Sequence, residues 1–136
     1  MAAAFAVYVA VVAFIVFWPA GEMPSSSVSF LYGFFQDLGA PLQLTTSRIE
    51  FLANVAMFVP LSLLGSLLKT QWTWSSWVVV GYVATFSIEL TQGLLLPDRS
   101  ATMQDIVANT GGALIGALIA WAIRHGPAGR QSRDSQ

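Results

Sequence analysis

Apolar residues along this chain gather into four blocks, Ala2 to Trp18, Ile49 to Leu68, Trp72 to Leu96 and Ile106 to Ile123. Each block is close to the roughly 20 residues that a helix needs to cross the hydrocarbon of a bilayer. A backbone in lipid must satisfy its own polar groups, so the pattern predicts an all-α fold, a four-helix transmembrane bundle. Residues 1–124 form a single domain on this reading, followed by a disordered cytoplasmic tail at 125–136. The first block has no Lys or Arg at its start and is followed by Pro19 and Glu22, not by a small-residue cleavage site. It therefore reads as a retained helix and not as a signal peptide, with Trp18 at the interface and Pro19 as its stop.

Residues 19–47 make the only long connection. It opens with the loop-like Gly-Glu-Met-Pro-Ser-Ser-Ser and continues with Phe30, Leu31, Phe34, Phe35 and Leu38 at helical spacing. That spacing predicts a short amphipathic helix between helices 1 and 2, lying on the outer membrane surface or packed as a flap over the bundle; Gly33 weakens it. Ser47 with Glu50, and Thr102 with Asp105, fit the box in which a hydroxyl caps the first helical amides and an acid three residues on reaches back to the cap amide. Glu50-Phe-Leu-Ala-Asn54 and Asp105-Ile-Val-Ala-Asn109 also match at an offset of 55. A duplicated helical hairpin, running parallel, explains the match, and so does coincidence over five positions. Pro60 would kink the second span, and Gly112 and Gly116 allow another helix backbone to approach the fourth.

Composition makes lipid the main solvent: 55% of residues are hydrophobic and 10% charged, against about 25% charged in soluble domains. The absence of cysteine excludes disulfides and thiolate metal sites. A net charge of −1 carries no mark of a nucleic-acid partner. Lys69, Arg124, Arg130 and Arg133 share one side of the predicted topology and Arg48 and Arg99 the other. This bias places both termini in the cytoplasm.

The ionisable and amide side chains near the outer ends are Arg48, Glu50, Asn54, Glu89, Gln92, Asp98, Arg99, Asp105 and Asn109. Counting residues inward from the helix ends puts Asn54, Glu89 and Asn109 in one polar layer about 10 Å deep, ringed above by Arg48, Arg99, Glu50 and Asp98. Glu50 and Asp105 have an ordinary reading as caps, the two asparagines as bridges between helices, and Arg99 as an interfacial anchor. Glu89 is harder to explain, since an acid in the apolar zone costs about 2.5 kcal/mol or more unless paired, protonated or liganded. His125 sits at the opposite end from these carboxylates, Ser87 has no base at a recognisable spacing, and no phosphate-cradling glycine loop is present. No metal or cofactor is expected, while acid and base roles for Glu89 and Asp105 stay open.

Arg48-Ile-Glu-Phe-Leu-Ala-Asn54 with Phe58-Val-Pro-Leu61, Ile88-Glu89-Leu90 with Gln92, Arg99, and Asp105-Ile-Val with Asn109-Thr-Gly111 and Gly116 together resemble the motifs of VanZ-like membrane proteins. The resemblance runs over residues 48–120 in the family's order. It implies a small multi-pass bacterial membrane protein whose motif residues here are Arg48, Glu50, Asn54, Pro60, Glu89, Gln92, Arg99, Asp105 and Asn109. The family's namesake is associated with low-level resistance to the glycopeptide teicoplanin. Three functions are compatible with these residues. One is an envelope protein that contacts membrane lipids and binds the polar headgroup of a lipid or cell-wall precursor. The second is an enzyme acting on a lipid-linked substrate, and the third is an oligomeric transporter or flippase.

Overall fold

A computed structural model describes residues 1–17, 22–39, 45–95 and 102–126. Among these residues all regular structure is helical: α1 (Ala2–Val16), α2 (Glu22–Asp37), α3 (Thr46–Leu68), α4 (Trp74–Leu95) and α5 (Met103–His125). Helices α3, α4 and α5 are long and apolar enough to cross a membrane. Helix α1 is apolar but has 15 residues, about 22 Å of helix against about 30 Å of hydrocarbon.

Helix α5 lies between α3 and α4 and packs mainly on those two. Its buried face is built from Ala108, Asn109, Gly112, Ala113, Gly116, Ala117 and Ala120. A Cβ added at Gly112 would run into the Val55 carbonyl, and one at Gly116 into the Val59 carbonyl and the Ser62 hydroxyl. Gly81 of α4 lies equally close to the Ala113 side chain. Small residues thus bring three backbones together, which is how helices associate when lipid tails leave no hydrophobic drive between them. The large apolar side chains point outward instead: Leu52, Val83, Phe86, Leu90, Val107 and Ile115 are exposed, while Phe58 is 1% exposed.

Several local expectations shift. Thr45, in extended conformation, caps α3 by accepting the Arg48 amide at 3.4 Å, in place of Ser47. Ser47 falls inside the first turn and faces α5, where Gln104 Nε2 donates to its hydroxyl at 3.1 Å. The register change removes Glu50 from the box position, and its side chain is exposed. Helix α2 begins at Glu22 and takes in most of the stretch expected as loop. Pro24 is no obstacle in the first turn, where backbone amides have no intrahelical partner. Pro60 lies within a continuous α3.

At the other end of the bundle, the Trp77 ring lies against Gly65 and is tilted on Trp72 at 5.4 Å between centroids. Arg124 donates to the Thr70 carbonyl at 3.0 Å. His125 is the last residue of α5 and not the first of a tail: its ring stacks on Trp121, and its Nδ1 lies 2.9 Å from the Trp121 carbonyl. Residues 127–136 lie outside the described residues.

Candidate functional site: a polar seam along α5

The start of α5 is decided by Thr102, the extended N-cap residue. Its hydroxyl accepts the Asp105 amide at 3.1 Å and donates to Asp105 Oδ2 at 2.6 Å. The capping box has the acid reaching back to the cap amide. Here that amide goes instead to Glu89 Oε2 on α4, at 3.0 Å. Asp105 is turned toward α3, where its Oδ1 accepts from Asn54 Nδ2 at 2.6 Å.

Deeper along α5, Asn109 Nδ2 donates to Thr85 Oγ1 of α4 at 2.8 Å. Beyond it, Ser62 Oγ of α3 donates to the Ala113 carbonyl at 2.8 Å. Positions 102, 105, 109 and 113 step by three and four residues, so they share one helical face. The result is a seam of polar contacts, to both α4 and α3, running inward from the α5 N-terminus. It replaces the single layer expected from residue counting. Glu89 belongs to the outermost rung with Thr102, and Asn109 lies roughly 10 Å further in along α5.

Burial gives the seam its energetic weight. Glu89 is 6% exposed, and Thr85, Gln92 and Asn109 are also buried. The α5 N-terminus carries partial positive charge and an amide without an intrahelical partner, and the Glu89 carboxyl supplies an acceptor there. The buried acid therefore has a structural partner that the sequence did not reveal. One polar atom of the inner rung is not matched: Asn109 Oδ1 is buried without a hydrogen-bond partner among the described residues.

The other candidate residues distribute as follows. Gln92 is buried but turns away from the seam, donating to the Val16 carbonyl of α1 at 2.8 Å. Arg48 is exposed at the N-terminal end of α3 and, with Phe51, Leu52 and Gln104, lines a groove of about 480 Å³ between α3 and α5. Glu89 and Thr102 stand at a second groove, of about 300 Å³, between α4 and α5, walled by Phe86, Leu90, Leu94 and Ile106. Arg99 and Asp98 lie outside the described residues. Glu50, matched to Asp105 in the five-residue repeat, is exposed on α3. Among the described residues no cluster of three or more His, Cys, Asp or Glu side chains could hold a metal ion.

Thr85 and Ser62 enter the site without having been anticipated. The only advance signal for Thr85 is its place one turn before Glu89 on the same face of α4. Nothing local marks Ser62 apart from its being a hydroxyl opposite a small-residue face.

No curated protein and no solved structure matches the chain. The model of the VanZ/LLP1 family matches residues 5–124, which includes the whole seam and both grooves. With three membrane-capable helices and a match over most of its length, this membrane protein belongs to the VanZ/LLP1 family.

Proposed function

We propose that the protein is a multi-pass protein of the bacterial cell envelope that binds the anionic headgroup of a lipid or lipid-linked cell-wall precursor on its outer side. The observation that carries this reading is the α3/α5 groove. A guanidinium and a carboxamide, Arg48 and Gln104, line it together with the apolar side chains of Phe51 and Leu52, at the end of a membrane-capable helix. A phosphate or pyrophosphate suits the planar donors of arginine, and an acyl or prenyl chain suits the wall beneath. Arg99 supplies the second cation, the seam holds α3 and α5 in register under the groove, and α1 completes a bundle of four spans with both termini cytoplasmic. Occupation of a cell-wall precursor headgroup would alter susceptibility to glycopeptides such as teicoplanin.

The test is Arg48→Ala, with membrane abundance matched to the wild type. Anionic lipid retained by the purified protein, read by native mass spectrometry, should fall several-fold, and any protection of a sensitive bacterium against teicoplanin should fall with it. Unchanged lipid retention by the variant would overturn headgroup binding at this groove. Reduced retention with unchanged susceptibility would separate lipid binding from the antibiotic.

A second reading, an enzyme using Glu89 as general base on a lipid-linked substrate, is favoured by the position of Glu89 at the α4/α5 groove. Asp105 is less suited to that task, because both its oxygens already accept hydrogen bonds. Turnover by purified protein that Glu89→Gln stops, with lipid retention intact, would support it over simple binding.

A further inference from the structure

Helix α2 divides its circumference three ways. Val28, 9% exposed, leads the edge that also carries Tyr32 and Gln36, and α2 packs on α3. Ser26, Ser29, Gly33 and Asp37 lie on a polar arc, by their spacing of three and four residues. The third arc carries Phe30, Leu31, Phe34, Phe35 and Leu38, all exposed, Phe30 by 73% and Leu38 by 68%. Four large apolar side chains on one face of one short helix, with a fifth just past its end, are far more than scattered surface hydrophobics.

We propose that this arc is a membrane-insertion surface, lying in the interface of the bilayer and binding lipid through apolar contact alone. Three observations select lipid as the occupant. The helix, 16 residues long, carries a polar arc along its whole length that hydrocarbon would not accept, so it stays at one surface. It is joined in sequence between α1 and α3 and packs on α3, a membrane-capable helix, which holds it beside the bilayer. The exposed aromatic face is continuous in chemistry with the lipid-facing sides of α3 to α5. Interfacial helices commonly add a lysine- and arginine-rich polar face that recruits anionic lipids. Residues 22–37 contain Glu22 and Asp37 and no Lys or Arg. Insertion is therefore indifferent to anionic lipid and to salt, and a zwitterionic surface is a sufficient partner.

Because the chain has no cysteine, single cysteines at Phe30, Phe34 and Leu38, and at Ser29 and Gly33, can each carry a spin label in the full chain reconstituted in vesicles. Labels at 30, 34 and 38 should be relaxed by oxygen, which partitions into lipid, and those at 29 and 33 by a water-soluble nickel chelate. This alternation should be the same in phosphatidylcholine alone and with equal phosphatidylglycerol, at low and high salt. Nickel access at all five positions would overturn the proposal by leaving the arc in water. Protection of 30, 34 and 38 from both relaxants would overturn it in favour of protein covering the arc, with dipolar broadening between labels identifying a second copy. Insertion that appears only with phosphatidylglycerol, or is lost in salt, would overturn the charge-independent mechanism.

Discussion

The carboxylate of Glu89 on α4 accepts the backbone amide of Thr102, the N-cap of α5, at 3.0 Å. A side chain thereby caps a helix to which it does not belong, and the pair fixes how far α4 and α5 overlap. Removing the acceptor in Glu89→Ala leaves a partly buried amide unmatched, at a cost of about 1–3 kcal/mol. Glu89→Gln keeps an acceptor for the Thr102 amide and weakens the interaction with the helix terminus, by about 0.3–1 kcal/mol and up to about 2 when partly buried. Thermal unfolding in detergent should therefore rank wild type above Gln above Ala. Equal melting temperatures for all three would remove Glu89 from any capping role.

Asn54 and Asp105 test how strongly one contact of the seam couples α3 to α5. A hydrogen bond to an ionised group is worth about 1.5–3 kcal/mol, whereas polar contacts between membrane helices average roughly 0.6 kcal/mol. A double-mutant cycle of Asn54→Ala and Asp105→Ala should give a coupling above that average, since the contact is short, at 2.6 Å, and a carboxyl is its acceptor. A coupling near the lower figure would make the pair an ordinary polar bridge between helices, and none at all would dismiss the contact.

Gly111 and Gly116 on α5 should respond to alanine with opposite signs. Gly116→Ala drives a methyl into the Val59 carbonyl and the Ser62 hydroxyl of α3, and overpacking of this kind costs about 1–3 kcal/mol. A methyl at Gly111 would meet nothing within 4 Å beyond its own helix backbone and chain neighbours, so Gly111→Ala should gain up to about 1 kcal/mol from helix propensity. Stability by chemical denaturation in micelles reads both, and a tolerated alanine at 116 would contradict the close α3–α5 approach.

Helix α1 is tied to the bundle by two long-range hydrogen bonds, Tyr8 Oη to the Met57 carbonyl and Gln92 Nε2 to the Val16 carbonyl, both at 2.8 Å. Tyr8→Phe with Gln92→Leu should weaken its attachment by about 1–2 kcal/mol. In hydrogen-exchange mass spectrometry, protection over residues 2–16 should fall while that of α3 and α5 holds. Uniform loss across all helices would show that α1 is integral to the core and not docked upon it.

The apolar blocks, the helical spacing after Phe30 and the Thr102 cap were legible in the chain, though of the four blocks read as spans three form helices long enough to cross a membrane and the first forms the shorter α1. Each is a property of a short window: hydropathy, 3.6-residue periodicity, or a hydroxyl ahead of an acid. Even there, local rules had limits. Ser47 with Glu50 looked as good a cap as Thr102 with Asp105, yet Thr45 took the role because its extended backbone let the helix begin two residues sooner. The stretch around Pro24 read as loop because composition does not distinguish a turn from the tolerant first turn of a helix.

By itself, the sequence determined that this is an α-helical membrane protein of the VanZ/LLP1 family with its polar residues gathered toward one end. Only the tertiary structure decided which polar group meets which: Glu89 with the Thr102 amide, Asp105 with Asn54, Asn109 with Thr85, Gln92 with α1, and Glu50 with none of the seam. The reason is geometric. Hydrogen-bond partners across helices depend on the axial shift and rotation of each helix to within an ångström or so. Those are set by the contact of Gly112, Gly116 and Gly81 with backbones and side chains distant in sequence, which no local window of the chain contains.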